Sequence, residues 1–84
     1  MRYKMLTQDN CPNCAKLKMM LEKPLKGKFD SVIEVVHRQE NPEAFLAAVK
    51  ENQVSSVPVI IDTETNEVLR DFSSGVKISA FLSK

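Results

Sequence analysis

Two cysteines separated by two residues are the part of this sequence best suited to chemistry. They form the segment Cys11-Pro12-Asn13-Cys14, and the chain has no other cysteine. Proline is favoured at the first position of a helix, because its missing N–H would have no intrahelical partner there. A helix that begins at Pro12 brings Cys14 back within reach of Cys11 on its first turn. The spacing therefore predicts a redox-active pair at a strand-to-helix junction.

The expected position of Cys11 favours its ionised form. A helix N-terminus has unpaired N–H groups and a partial positive charge, so it stabilises an anion. Thiols in such positions have pKa values of roughly 3.5 to 7.5, against about 8.5 for a free cysteine. The thiolate is the nucleophile in disulfide exchange. We therefore expect Cys11 to attack a substrate disulfide and Cys14 to resolve the mixed disulfide that results.

Other uses of the cysteine pair remain open alternatives. A structural zinc site needs about four ligands, whereas this chain has two cysteines and one histidine, His37. A purely structural disulfide is rare in a cytosolic chain. A metal or an iron–sulfur cluster shared between two chains is a further alternative. We prefer redox use of the pair, and we expect no bound metal within one chain.

The composition is typical of one ordinary globular domain, which we expect to cover residues 1–84. Of the 84 residues, 43% are hydrophobic and 27% are charged. The net charge of +1 gives no electrostatic reason to bind nucleic acid or an anionic membrane. No apolar run approaches the roughly 20 residues that cross a bilayer, and no targeting segment is recognisable. These features predict a cytoplasmic monomer.

Turn signals divide the chain into alternating strands and helices. The β-branched and apolar runs predict four strands, at Tyr3–Thr7, Ser31–Val36, Val57–Asp62 and Glu67–Asp71. Three helices are expected, one from Pro12 to Pro24, one beginning with Asn41-Pro42-Glu43 and one opening at Ser73-Ser74-Gly75. The order βαβαββα predicts an α/β fold, in which a four-stranded mixed sheet has helices on both faces.

Three segments in this order resemble the glutaredoxin and thioredoxin superfamily, and the likeness covers nearly the whole chain. The cysteine segment looks like the Cys-Pro-x-Cys pattern of glutaredoxins. The dipeptide Val57-Pro58 is similar to the Val-Pro of the family, which has a cis peptide bond facing the active site. Ser74-Gly75 looks like the small-residue turn that contacts ligand in these proteins. The resemblance implies a thioredoxin-like fold.

The resemblance also implies a function, that of a glutaredoxin-like dithiol–disulfide oxidoreductase. Its substrates would be protein disulfides or glutathione mixed disulfides, with ribonucleotide reductase as one acceptor of electrons. Its reductant would be glutathione or a flavoprotein disulfide reductase, and no cofactor would be bound. The alternative is a dimeric module that binds an iron–sulfur cluster through Cys11 and glutathione. Residues implied to contact substrate or glutathione are Pro12, Asn13, Val57, Pro58, Ser74 and Gly75.

The sequence departs from the family pattern on both sides of the expected site. Glutaredoxins usually have a lysine shortly before the cysteines, whereas this chain has Thr7-Gln8-Asp9-Asn10 there. Near the last helix they usually have a Gly-Gly pair followed by an acid, and residues 71–76 of this chain lack that pattern. The chain has no Trp, which short redoxins that reduce ribonucleotide reductase typically have. These departures leave the reductant open. We interpret His37 as a surface histidine, Asp9 as a loop cap, and Met19 and Met20 as core residues.

Overall fold

The computed structural model describes residues 2–23 and 26–83, and it shows a four-stranded sheet with three helices. The α/β fold class predicted from the sequence is confirmed. A short 3₁₀ helix at Asp30–Val32 precedes the second strand. The predicted end of the first helix at Pro24 lies outside the described residues. The elements in chain order are β1 (Tyr3–Thr7), α1 (Pro12–Glu22), β2 (Ile33–His37), α2 (Pro42–Asn52), β3 (Val59–Asp62), β4 (Val68–Leu69) and α3 (Gly75–Leu82).

The strand β1 is central, and its two neighbours run in opposite directions. The sheet order is β2-β1-β3-β4, with β1 parallel to β2 and antiparallel to β3. Thr7 at the end of β1 therefore lies opposite His37 at the end of β2, and Leu6 lies opposite Val59 at the start of β3. We call this end of the sheet the cysteine end, because Cys11 follows β1 there. The opposite end, where Tyr3 lies beside Asp62, is called the hairpin end.

Alternate residues of the central strands are buried on opposite faces, as the two-residue period of a strand requires. On one face, Tyr3, Met5 and Ile60 pack against Leu17 of α1 and Ile78 of α3. The other face forms a second apolar cluster with α2, whose members include Leu6, Val59, Ile61, Phe45 and Ala48. The helices therefore cover both faces, as predicted, and α1 shares its face with α3.

Three of the four strands have bounds that differ from those expected. The strand β3 begins at Val59 rather than Val57, because Pro58 has no N–H with which to continue a ladder. The strand β2 begins two residues later than expected, because Asp30–Val32 form the 3₁₀ turn. The strand β4 has two residues rather than five, and its pairing with β3 is limited to Val68 and Leu69.

Side-chain hydrogen bonds connect β1 to elements far along the chain. The Tyr3 hydroxyl donates to the carbonyl of Phe81 in the last turn of α3, at 3.1 Å. At the hairpin end, Arg2 donates to both carboxylate oxygens of Asp62, at 3.2 and 3.0 Å. These contacts fix the central strand against α3 and β3, so that the loop that follows β1 starts from a rigid support.

Candidate functional site

The cysteine pair lies at the N-terminus of α1, where the sequence predicts it. Cys11 is the N-cap residue and Pro12 is the first helical residue. The two cysteines form a disulfide, with their Cα atoms 5.2 Å apart. The Cys11 Sγ atom also accepts a hydrogen bond from the Cys14 backbone N–H, at 3.1 Å. One sulfur of the pair is therefore directed at the unpaired amides of the helix.

The two cysteines differ in burial. Cys14 is only 4% exposed and belongs to the buried stripe of α1, with Leu17 and Leu21. Cys11 is partly exposed, because it precedes the helix at the mouth of the site. The solvent-exposed member of the pair is therefore Cys11, whereas Cys14 is buried in the core.

The acidic side chains near Cys11 do not compete with its sulfur for the positive end of α1. The first turn of α1 contains no acidic residue. The nearest acid in the chain, Asp9, is bonded instead to His37, with 3.0 Å between Oδ1 and Nε2. The positive end of the helix is therefore available to the sulfur.

His37 takes part in holding the loop before Cys11, so our interpretation of it as a surface histidine was wrong. Its side chain is 15% exposed, and its Nδ1 accepts a hydrogen bond from the Glu40 N–H at 3.3 Å. That bond leaves the proton on Nε2, which donates to Asp9. The Asp9 N–H in turn donates to the side chain of Gln39 at 2.8 Å. Sequence reasoning missed this bridge because Asp9 and His37 come close only when β1 pairs in parallel with β2.

The dipeptide Val57-Pro58 lies at the cysteine end, directly before β3. Its peptide bond is cis, as the resemblance implied. Pro58 is buried and Val57 is half-buried. Among the described residues, the N–H and C=O of Val57 have no backbone partner. These two groups are therefore available to an extended chain placed beside the cysteines.

A groove of about 660 Å³ runs from the cysteine end along α1. Its walls are α1 on one side and the segments 56–58 and 70–73 on the other. Apolar side chains line much of it, and Met19 on α1 is 59% exposed, so our interpretation of Met19 as a core residue was wrong. The lining residues used below are Asn13, Lys16, Met19, Met20, Lys23, Val57, Pro58, Arg70, Asp71 and Phe72.

The groove contains some of the predicted contact residues and not others. Asn13, Val57 and Pro58 line it, whereas Pro12 is exposed outside its lining. Ser74 and Gly75 also lie outside the lining, where Ser74 caps α3 by accepting a hydrogen bond from the Val76 N–H at 3.2 Å. The geometry thus gives Ser74 a structural role at the start of α3.

The part of the chain described by the structure offers little besides the cysteines to hold a metal. Within residues 2–23 and 26–83, no three His, Cys, Asp or Glu side chains are grouped in a way that could bind an ion. Over the same residues, no helix has both the length and the apolar character needed to cross a membrane.

The small α/β fold, its mixed sheet and its cysteine pair are compatible with a thioredoxin-like protein. Comparisons of this chain with protein-family models, with curated proteins and with solved structures found no match.

Proposed function

We propose that this protein is a glutaredoxin-like dithiol–disulfide oxidoreductase, with Cys11 as the nucleophile and Cys14 as the resolving thiol. The observation that supports it best is the unequal placement of two sulfurs at one helix N-terminus. Cys11 is partly exposed and accepts the Cys14 N–H, whereas Cys14 is buried beneath it. An amide donor and the helix dipole stabilise the thiolate of Cys11 once the disulfide is reduced.

The proposed cycle transfers two electrons. The Cys11 thiolate attacks one sulfur of a substrate disulfide, forming a mixed disulfide and releasing the other substrate sulfur as a thiolate, which takes a proton from water. Cys14 loses its proton and attacks the Cys11 sulfur, which re-forms the Cys11–Cys14 disulfide and releases the second substrate thiol. A thiol reductant, either two glutathione molecules or a flavoprotein disulfide reductase, then returns the pair to the dithiol.

Val57 is proposed to hold the substrate beside the cysteines. Val57 lies at the cysteine end, and among the described residues its N–H and C=O have no backbone partner. An extended substrate segment would pair with them as an added strand, which places the substrate sulfur by main-chain hydrogen bonds and independently of side chains. Pro58 supplies a buried apolar surface next to that strand.

Serine variants of the two cysteines test the proposal. Cys11→Ser is expected to abolish reduction of a protein disulfide, because the nucleophile is removed. Cys14→Ser is expected to accumulate a mixed disulfide between Cys11 and the substrate when no other thiol is present, because the resolving thiol of the chain is removed. Mass spectrometry of the trapped species and a turnover assay with an added thiol measure these effects. Retention of reductase activity in Cys11→Ser contradicts the proposal.

The controls separate the chemistry from changes in folding and from the alternative function. Ala15→Ser places a hydroxyl on the exposed face of the same helix and should leave turnover unchanged. Rates with glutathione plus its reductase, compared with thioredoxin reductase, identify the reductant. Iron content of the freshly purified protein tests the cluster-binding alternative, and stoichiometric iron would favour that alternative.

A further inference from the structure

The groove reaches Asn13, the residue before Cys14, without being lined by either cysteine, and it carries a concentration of positive charge. Lys16, Lys23 and Arg70 all line it and are all exposed. Among the described residues, none of these three side chains forms an ion pair. The whole chain has a net charge of only +1, so three unpaired cations on one groove are a local feature.

The one acid in the groove lining does not cancel this charge. Asp71 is paired with Lys77, with 2.7 Å between Oδ2 and Nζ, and its Oδ1 accepts the Ser73 N–H at 3.0 Å. These contacts hold the pKa of Asp71 well below its ordinary value, so it remains ionised and bonded to Lys77. The groove therefore presents a positive field to whatever enters it.

Between the cations the surface is apolar. Met19 is 59% exposed, and Met20, Phe72 and Val57 line the groove beside it. Methionine side chains are flexible and polarisable, so they adapt to apolar partners of different shape. A ligand of this groove therefore needs apolar side chains as well as negative charge.

The dimensions favour a short extended segment. Met19 and Met20 are each three or four residues from both Lys16 and Lys23, so the four side chains share one side of α1 and its C-cap. From Asn13 to the C-cap Lys23 the chain rises roughly 15 Å, at about 1.5 Å per residue. An extended chain covers that distance in about five residues. The groove also contains Val57 and Pro58, so it is continuous with the place proposed for the substrate strand.

We propose that the groove binds the segment next to the reactive cysteine of a protein disulfide substrate, and that it selects segments containing acidic residues around an apolar one. This inference rests on the proposed function and specifies its substrate class. The acids would contact Lys16, Lys23 and Arg70, and the apolar side chain would lie against Met19 and Phe72. A substrate without such a segment reacts at Cys11 but gains nothing from the groove.

A charge-reversed variant tests the proposal. The charge of the groove is reversed in the triple variant Lys16→Glu, Lys23→Glu, Arg70→Glu. The control variant makes the same change in net charge at exposed sites outside the groove lining, through Lys18→Glu, Lys28→Glu and Lys50→Glu. The substrates are a short peptide disulfide with acidic and apolar residues, its counterpart with lysines in place of the acids, and a small uncharged disulfide. The measured quantity is kcat/KM for each.

The expected result is a selective loss. Three exposed charge contacts are individually weak and together amount to roughly a tenfold effect on kcat/KM. The groove variant should therefore lose about tenfold or more in kcat/KM for the acidic peptide relative to the uncharged disulfide, and reverse the preference toward the lysine peptide. The control triple variant should retain the preference for the acidic peptide. Equal rates for the two peptides with the unaltered protein overturn the proposal.

A binding measurement separates failure of the groove from failure of the chemistry. A labelled acidic peptide with serine in place of cysteine cannot exchange disulfides, so its affinity by fluorescence anisotropy reports the groove alone. Salt-dependent binding that the groove variant loses supports the proposal even if no substrate is reduced, in which case only the proposed function fails. No difference in affinity between the acidic and lysine peptides overturns the proposal, even if Cys11 is active. Milder changes, Lys16→Gln and Arg70→Gln, repeat the test if the reversed variant does not fold.

Discussion

The two ends of the sheet use charged residues in opposite ways. At the hairpin end, Arg2 lies between Asp62 and Glu64, at 3.0 and 2.8 Å, and Asp62 is completely buried. At the cysteine end, Lys16 and Arg70 are exposed, and among the described residues neither has an ion-pair partner. The ion pair of Arg2 and Asp62 at the hairpin end is partly buried against the sheet, whereas the cysteine end combines exposed pairs, such as Asp71 with Lys77, with cations that are unpaired within the described part of the chain, Lys16 and Arg70. The hairpin end of the sheet therefore contributes to the stability of the fold, and the cysteine end has exposed cations that a ligand can contact.

The largest effect that distinguishes the two ends is expected from Arg2→Met. Removing the cation leaves the buried carboxylate of Asp62 with backbone donors, such as the Glu64 N–H, but with no charged partner among the described residues, so the free energy of unfolding should fall more than in any other variant below. The rate of disulfide reduction by the folded protein should not change, because the site lies at the other end of the sheet. Urea unfolding measures the first effect and a turnover assay the second.

Lys50→Met is the matched control for that change. Lys50 is exposed on α2, and among the described residues it forms no ion pair. Its loss should alter the unfolding free energy by less than about 0.5 kcal/mol. Equal destabilisation by Arg2→Met and Lys50→Met would show that the ion pair at the hairpin end adds no more stability than an exposed, unpaired lysine.

Acid unfolding provides an intermediate test. Hydrogen bonds from Arg2 hold the pKa of Asp62 below its ordinary value. A carboxylate with a lowered pKa contributes stability that is present above its unfolded pKa of about 4 and is lost as the pH falls through the folded-state pKa. The unfolding free energy should therefore decrease on acidification below about pH 4, and Asp62→Asn should flatten this part of the curve.

The comparison for this test is Asp71→Asn at the cysteine end. The pKa of Asp71 is also lowered, by Lys77, but both side chains are more than half exposed, at 53% and 58%. Solvent screens such a pair, so its removal should change the acid dependence less than removal of Asp62. A larger change in Asp71→Asn, measured by urea unfolding at several pH values, would contradict the contrast between the ends.

The smallest expected effect concerns the loop that leads to Cys11. His37→Asn removes the bond to Asp9 and weakens the bond from Glu40, and we expect a loss of about 1 kcal/mol in unfolding free energy. Because the bridge holds the loop, the amides of residues 8–10 should exchange hydrogen faster than in the unaltered protein. Hydrogen-exchange mass spectrometry measures the exchange rates of these amides, with Glu43→Gln, at an exposed position of α2, as the control. Unchanged exchange would show that the bridge does not hold the loop.

Much of the fold could be predicted because its signals are local in the sequence. The strand Tyr3–Thr7 and the helix starts at Pro12 and Pro42 lie where expected, since a proline at the first helical turn and an apolar β-branched run act over a few residues. The start of β3 was misplaced by two residues, because the prediction included Pro58 in the strand although it has no N–H to donate to a ladder.

The cysteine pair could be predicted for the same reason, and the cis bond before Pro58 was implied by the resemblance, whereas the groove and the bridge to His37 could not be predicted. Cys11 and Cys14 are three residues apart, so a helix that begins at Pro12 brings them within reach of each other. The bond between Asp9 and His37 and the groove between Met19 and Phe72 depend on elements brought together only in the folded state. Their residue types are ordinary for a surface, so no pattern in the sequence singles them out.

The hydrogen bond from Tyr3 to the carbonyl of Phe81 has a consequence for biosynthesis. The two residues are 78 positions apart, and β1 pairs with β3 through Tyr3 and Asp62. Nearly all the remaining elements must therefore be synthesised before β1 can both pair with β3 and form its hydrogen bond to α3. The strand β1 can therefore pair with β2 early in synthesis, but its full set of native contacts also requires β3 and α3, so the contacts that complete this strand are long-range and slow to form.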